Sequence, residues 1–159
     1  MFRRLTENLH RQGQGLRVLR ELLEEEFSYL LAGEPQKVSA VEFSIQELVR
    51  QLVDERGSLR RLIRRVKPAA RRLADILPEL PADRAEPLAA LLKVIDDGEQ
   101  ACAMKAAQNH MLANALHEQS RRLIDFMRSE LTPRRHDAYG ASGRFVGCRN
   151  ESMIFRGRF

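Results

Sequence analysis

Tryptophan is absent from the 159 residues, tyrosine occurs twice, and aromatic residues together make up only 6%. No stretch alternates apolar and polar side chains as a half-buried strand does, and the nine glycines and six prolines fall in a few clusters. Sandwiches and barrels need many short strands punctuated by turns, so these shortages leave an all-α fold. No run approaches the ~18 apolar residues that cross a bilayer, and no stable membrane insertion is expected. The opening Met1-Phe-Arg-Arg-Leu-Thr-Glu7 carries charge without a following apolar core, so no secretory signal is expected. Cys102 and Cys148 stand far apart and in no Cys-x-x-Cys arrangement. Two free thiols in a reducing compartment, the cytoplasm, are expected rather than a disulfide.

The residue sets that carry chemistry are missing too. His110 and His117 share a helix face but lie two turns, roughly 10 Å, apart, too far to hold one metal ion. His10 and His136 have no Cys or carboxylate at ligand spacing. There is no Gly-rich phosphate loop, no Ser or Cys with an identifiable base, and no carboxylate pair in an apolar setting. Tyr139-Gly-Ala-Ser-Gly143 is too short and unframed for a nucleotide motif. Neither catalysis, nor a metal, nor a cofactor is expected.

What the chain does have is leucine at helical intervals. Leu9, Leu16, Leu23 and Leu30 repeat every seven residues, with Leu5 and Leu19 beside them, and predict a helix over about 6–31 that Gly33-Glu34-Pro35 ends. Val38, Ile45, Leu52, Leu59 and Val66 predict a second helix over 38–66, paired antiparallel with the first. Pro68 should kink or break it before 69–77 continue with Leu73, Ile76 and Leu77. Asp83 and Glu86 have capping-box spacing for a third helix. From there Leu88, Ile95, Cys102, Asn109, Leu116 and Leu123 keep the seven-residue interval, with Gly98 a candidate bend and Thr132-Pro133 the end. The expected architecture is an antiparallel helical hairpin plus a long third helix, an elongated three-helix bundle or coiled coil. It occupies residues 1–132 and is followed by a flexible basic tail, 133–159.

The charge is unevenly placed. Residues 133–159 hold six Arg against Asp137 and Glu151, so +4 of the net +5 belongs to the tail. Within the body, residues 56–72 contain seven Arg and Lys67 with no acid. One reading is a nucleic-acid or anionic-membrane surface. The favoured one is pairing with the third helix: folding back near residue 80 sets Arg64 opposite Asp96 and Arg61 opposite Glu99. No nucleic-acid partner is then expected.

The third helix carries a seam of Met111, Leu112, Leu116, Leu123, Phe126 and Met127, with Ala113 and Ala115 small enough to let another helix approach. It is either the inner face of the bundle or a groove for a partner's amphipathic helix. A coiled-coil adaptor or scaffold would use such seams for homo-oligomer formation.

Taken in order, the leucine-rich hairpin with its acidic Leu22-Leu-Glu-Glu-Glu-Phe27 segment, the Asn109-x-x-Leu112-x-Asn114 stretch and the Tyr139-Gly-x-x-Gly143 tail resemble the FlgN family of flagellar export chaperones. The resemblance covers roughly residues 5–144. It implies a cytoplasmic, cofactor-free chaperone that holds hook-filament junction (hook-associated) proteins before type III export. It further implies that the last helix, through Met111, Leu112, Ala115, Leu116, Leu123, Phe126 and Met127, binds the client's terminal helix. Tyr139, with Gly140 and Gly143, would dock the complex to the cytoplasmic domain of the export gate. Two features depart from the pattern: this chain is basic where export chaperones are commonly acidic, and residues 145–159 run past the motif into an Arg- and Phe-rich end.

Overall fold

Three helices, Phe2–Ala32 (α1), Pro35–Val66 (α2) and Ala82–Leu131 (α3), account for nearly all of residues 2–131, which the computed structural model describes. Among the described residues there is no strand. The chain divides into two units, Met1–Asn114 and Ala115–Phe159.

In the first unit α1 is the central helix. It supplies Leu5, Leu9, Leu16, Leu19 and Leu23 to a core that α2 joins through Ile63 and α3 through Leu88, Ile95 and Cys102. The hairpin is antiparallel, because Asn8 and Arg11 meet Glu55 while Gly15 abuts Leu52 and Leu48. α3 instead runs parallel to α1: the Cys102 thiol lies 3.4 Å from the Leu16 carbonyl, and the Asn109 amide donates to the Leu23 carbonyl at 2.7 Å.

The turn between α1 and α2 is two residues long, and its backbone explains why. Gly33 adopts φ +68, the left-handed conformation that closes a helix without a Cβ clash. Its N–H reaches Leu30 O at 3.2 Å and the Glu34 N–H reaches Tyr29 O at 3.0 Å, so two orphan carbonyls of α1 are satisfied. Pro35 then begins α2 where its missing N–H costs nothing. Gly13 has the opposite character: it lies inside α1, and a Cβ there would meet nothing within 4 Å. We therefore expect Gly13→Ala to stabilise the protein by about 0.8–1 kcal/mol. Gly33→Ala should destabilise it by roughly 1–2 kcal/mol through left-handed strain. Paired thermal melts check the opposite signs.

The connection 67–81 departs from the helical continuation expected of it. Leu73–Asp75 and Leu77–Glu79 are short 3-10 turns. The Asp75 carboxylate accepts the backbone N–H groups of Arg71 and Arg72, both at 2.9 Å, which lowers its pKa and draws those donors away from a helical ladder. Pro68 and Pro78 have no N–H to give. Ala70, Leu73 and Ile76 are nevertheless buried, so the segment closes the open end of the hairpin.

Two further expectations are corrected. Asp83 sits in the first turn of α3, but no capping box forms; the Pro81 carbonyl accepts from Arg84 and Ala85, both at 2.9 Å, and takes the capping position. Gly98 does not break α3, which is continuous through it. The glycine serves close approach: a Cβ there would stand 3.4 Å from Leu16 Cδ1 and 3.5 Å from Leu16 Cβ.

Three polar side chains are buried in the first unit: Asn8, Gln12 and Asn109. Asn8 donates to the Glu55 backbone carbonyl at 3.1 Å and to the Glu55 carboxylate, Gln12 donates to Asn8 Oδ1 at 2.6 Å, and Arg11 forks onto the same carboxylate at 2.8 and 3.1 Å. Leucines repeating every seven residues tolerate a seven-residue slip, but that slip would strand these groups without partners. The cluster therefore fixes the register of α1 on α2.

Candidate functional site

Burial along α3 changes character after Asn109. Leu88, Ile95, Cys102 and Asn109 are buried at successive sevens. Of the residues expected to bind a client, Leu112 and Leu116 are half-buried and Ala115 is exposed, while Met111 is 67%, Leu123 59%, Phe126 61% and Met127 47% exposed. Within the second unit every residue from 117 to 131 is exposed. There Leu116, Leu123, Ile124, Met127 and Leu131 fall within a narrow arc at 100° per residue, and Phe126 borders it. Ile124 and Leu131 were missing from the expected set; helical spacing alone, eight on from Leu116 and four on from Met127, would have found them.

Local pairs on the polar side of this stretch support the helix. Glu118 and Arg122 pair at 3.1 Å, Asp125 and Arg128 at 3.9 Å, and Ser129 Oγ donates to the Phe126 carbonyl at 2.7 Å. Pairs three and four apart stabilise exposed helix by ~0.2–0.5 kcal/mol each. The apolar side chains are thus presented on a preformed helix.

The Asn109-x-x-Leu112-x-Asn114 stretch divides its tasks. Asn109 Nδ2 bonds both the Leu23 carbonyl and Glu26 Oε2, at 2.7 and 2.6 Å, tying α3 to α1. Its Oδ1 is buried without a partner; turning the amide over would place that oxygen against a carbonyl and a carboxylate, so the orientation is fixed. Asn114 faces solvent and donates to His110 Nε2 at 3.0 Å. Lys105 lies 4.6 Å from the centroid of the Phe27 ring and shields part of it.

Electrostatics adds no reactive centre among the described residues. Burial pushes the Cys102 thiol above its ordinary value, and the side chain is only 5% exposed. In a Cys148→Ser background, Cys102 should resist iodoacetamide in the native protein at neutral pH and react after denaturation; equal rates in both states would contradict its burial. Glu47 is held at about 2 by hydrogen bonds from Arg50 and Gln51 on the α2 surface. No group of three His, Cys, Asp or Glu is placed to hold a metal ion among the described residues. Nor is any of the described helices long and apolar enough to cross a membrane.

The basic stretch pairs only in part as expected. α2 and α3 do run antiparallel, but the ion pair is Arg56 with Glu99; Arg61 bonds Ser58 Oγ at 2.8 Å, and neither Arg61–Glu99 nor Arg64–Asp96 forms. Lys67 meets Glu79 within the connection. Tyr139, Gly140 and Gly143 lie outside the described residues.

Three long helices, the last displaying leucine, isoleucine, phenylalanine and methionine to solvent, define the class: an all-helical protein with an apolar face open to contact. It belongs to the FlgN family: the family model described as FlgN protein matches residues 1–146. The family's role is that of a flagellar export chaperone that binds flagellar proteins. No curated protein and no solved structure matches the chain.

Proposed function

We propose that the chain holds hook-associated proteins in the cytoplasm, keeps them unassembled and delivers them to the export gate of the flagellar type III apparatus, without catalysis and without a cofactor. The observation that carries this reading is the exposed apolar stripe of 116–131 on an intact helix. A client segment that is disordered alone and helical when bound spends part of its contact energy on ordering. Its grip is correspondingly moderate, which suits a holder that must release. Met111 and Met127 add adaptable side chains where more than one client surface is met. Co-expression with hook-associated proteins and capture on the tagged chain tests the reading. A client-independent oligomer in light scattering, with no capture, would replace it with an adaptor that self-associates through the same stripe.

Delivery is proposed on the resemblance, through Tyr139 with Gly140 and Gly143. Tyr139→Ala is expected to leave the melting temperature and client capture unchanged while weakening binding to the cytoplasmic domain of the export gate. Release of the client with gate binding intact would refute the division of labour.

A further inference from the structure

At the base of the first unit, α2, the connection and α3 enclose a cleft of about 230 Å³ that is unlike the rest of the surface. Its walls carry Arg56 and Arg60 from α2, Arg71 and Arg72 from the connection, and Asp96 and Glu99 from α3. Its floor is mostly apolar, built on Leu9, Ile63, Leu73 and Ile95, with the amide of Gln12 among them, all buried. Arg56 is committed to Glu99, whereas Arg60, Arg71 and Arg72 enter no ion pair among the described residues. Among the side chains that line it, four guanidinium groups against two carboxylates leave an excess of two positive charges; the Asp75 carboxylate, beside Arg71 and Arg72, does not line it and offsets part of that field.

We propose that this cleft binds a phosphoryl dianion, as free phosphate or as a phosphate monoester whose substituent lies on the apolar floor. The charge excess matches a dianion. A carboxylate brings one charge and two oxygens; a phosphoryl group presents three oxygens, enough for the forks of Arg60, Arg71 and Arg72 together. Asp75 fixes the backbone of Arg71 and Arg72 through two 2.9 Å hydrogen bonds, and Leu73 and Ile76 anchor the segment in the core, so the roots of these two side chains are set while their guanidinium groups stay exposed. Concavity and small volume favour a compact anion over a nucleic-acid backbone, whose charges are spread along a strand. Arg61, Arg64 and Arg65 do not line the cleft and contribute only long-range field, which salt screens over about 8–10 Å.

The test titrates inorganic phosphate and phenyl phosphate into the full chain at constant ionic strength, followed by ³¹P NMR, with benzoate as the carboxylate control. Saturable binding of one equivalent is expected, with benzoate at least tenfold weaker than phenyl phosphate. Arg60→Gln/Arg72→Gln should weaken phosphate tenfold or more with an unchanged circular dichroism spectrum. Arg61→Gln/Arg65→Gln, which removes the same charge outside the cleft, should change it less than twofold. Equal losses in the two double variants, equal affinity for benzoate, or no saturation would overturn the proposal. Vesicles of phosphatidylcholine with and without phosphatidic acid separate the sources. Retention on phosphatidic acid that phosphate competes away assigns the group to a lipid headgroup; phosphate binding without retention assigns it to a soluble ester.

Discussion

Leu123→Asp is expected to abolish capture of hook-associated proteins, lowering affinity by at least ~100-fold, while the helical circular dichroism is kept and the melting temperature falls by no more than about 3 °C. The asymmetry follows from where the side chain lies. At 59% exposure Leu123 contributes little to folding, and exchanging Leu for Asp on a helix surface costs at most ~0.7 kcal/mol of propensity. In the proposed complex the same position would be closed over by the client's apolar face. Losing a buried leucine forfeits roughly 1.5–3 kcal/mol, and an unpaired carboxylate facing apolar side chains adds several more. Since ~2.7 kcal/mol is already a hundredfold in affinity, the two together exceed what a moderate grip can lose. Undiminished capture would place the client elsewhere. A lost fold would mean that the stripe serves packing.

Leu9→Ala should have the reverse profile, a loss of stability of about 2–5 kcal/mol with no specific effect on client contacts in the fraction that remains folded. Leu9 is 0% exposed and shares its surroundings with Ile63 and Leu59 of α2 and with Leu92 and Ile95 of α3. Truncation would leave a cavity at the point where all three helices meet. Against a total stability of ~5–15 kcal/mol for a domain, that is a large fraction, readable as a shift in urea midpoint at constant slope. A loss below ~1 kcal/mol would show that this end of the bundle repacks freely.

The sevens on α1 and α3 were legible because each of these helices buries one seam for most of its length: Leu9, Leu16 and Leu23, and Leu88, Ile95, Cys102 and Asn109, are inside, while of the same rows Leu30 and Leu116 are half-buried and Leu123 is exposed. On α2 the helix was legible but its inner face was not. Val38, Ile45, Leu52 and Leu59 are half-buried and Val66 is exposed, while Val41, expected beside that row, and Ile63, not expected on either, are buried. Several apolar rows on α2 fit helical spacing, and only the neighbours present decide between them. The antiparallel sense of α2 and α3 was read correctly from the fold-back. Its offset was not: Arg56 rather than Arg61 faces Glu99, because residues 67–81 are consumed in closing the base. Asn8 and Gln12 gave no advance sign of burial, since the partner of Asn8, Glu55, comes from 47 residues away and Gln12 is held through Asn8. The stripe itself was written in the spacing of Leu116, Leu123 and Met127; its openness was not, because an inner seam and a docking face have the same periodicity.

That residues 117–131 are exposed to the last side chain has an evolutionary consequence. A core position must satisfy its neighbours before it can satisfy anything else, so Leu9 or Ile95 can change only in concert with others. The open stretch of α3 is under no such constraint: in the proposed role, exchanging one apolar side chain for another there would alter which partner fits without altering whether the bundle folds. Partner preference can therefore diverge between lineages by single substitutions, each viable when it arises, while the hairpin beneath remains the same.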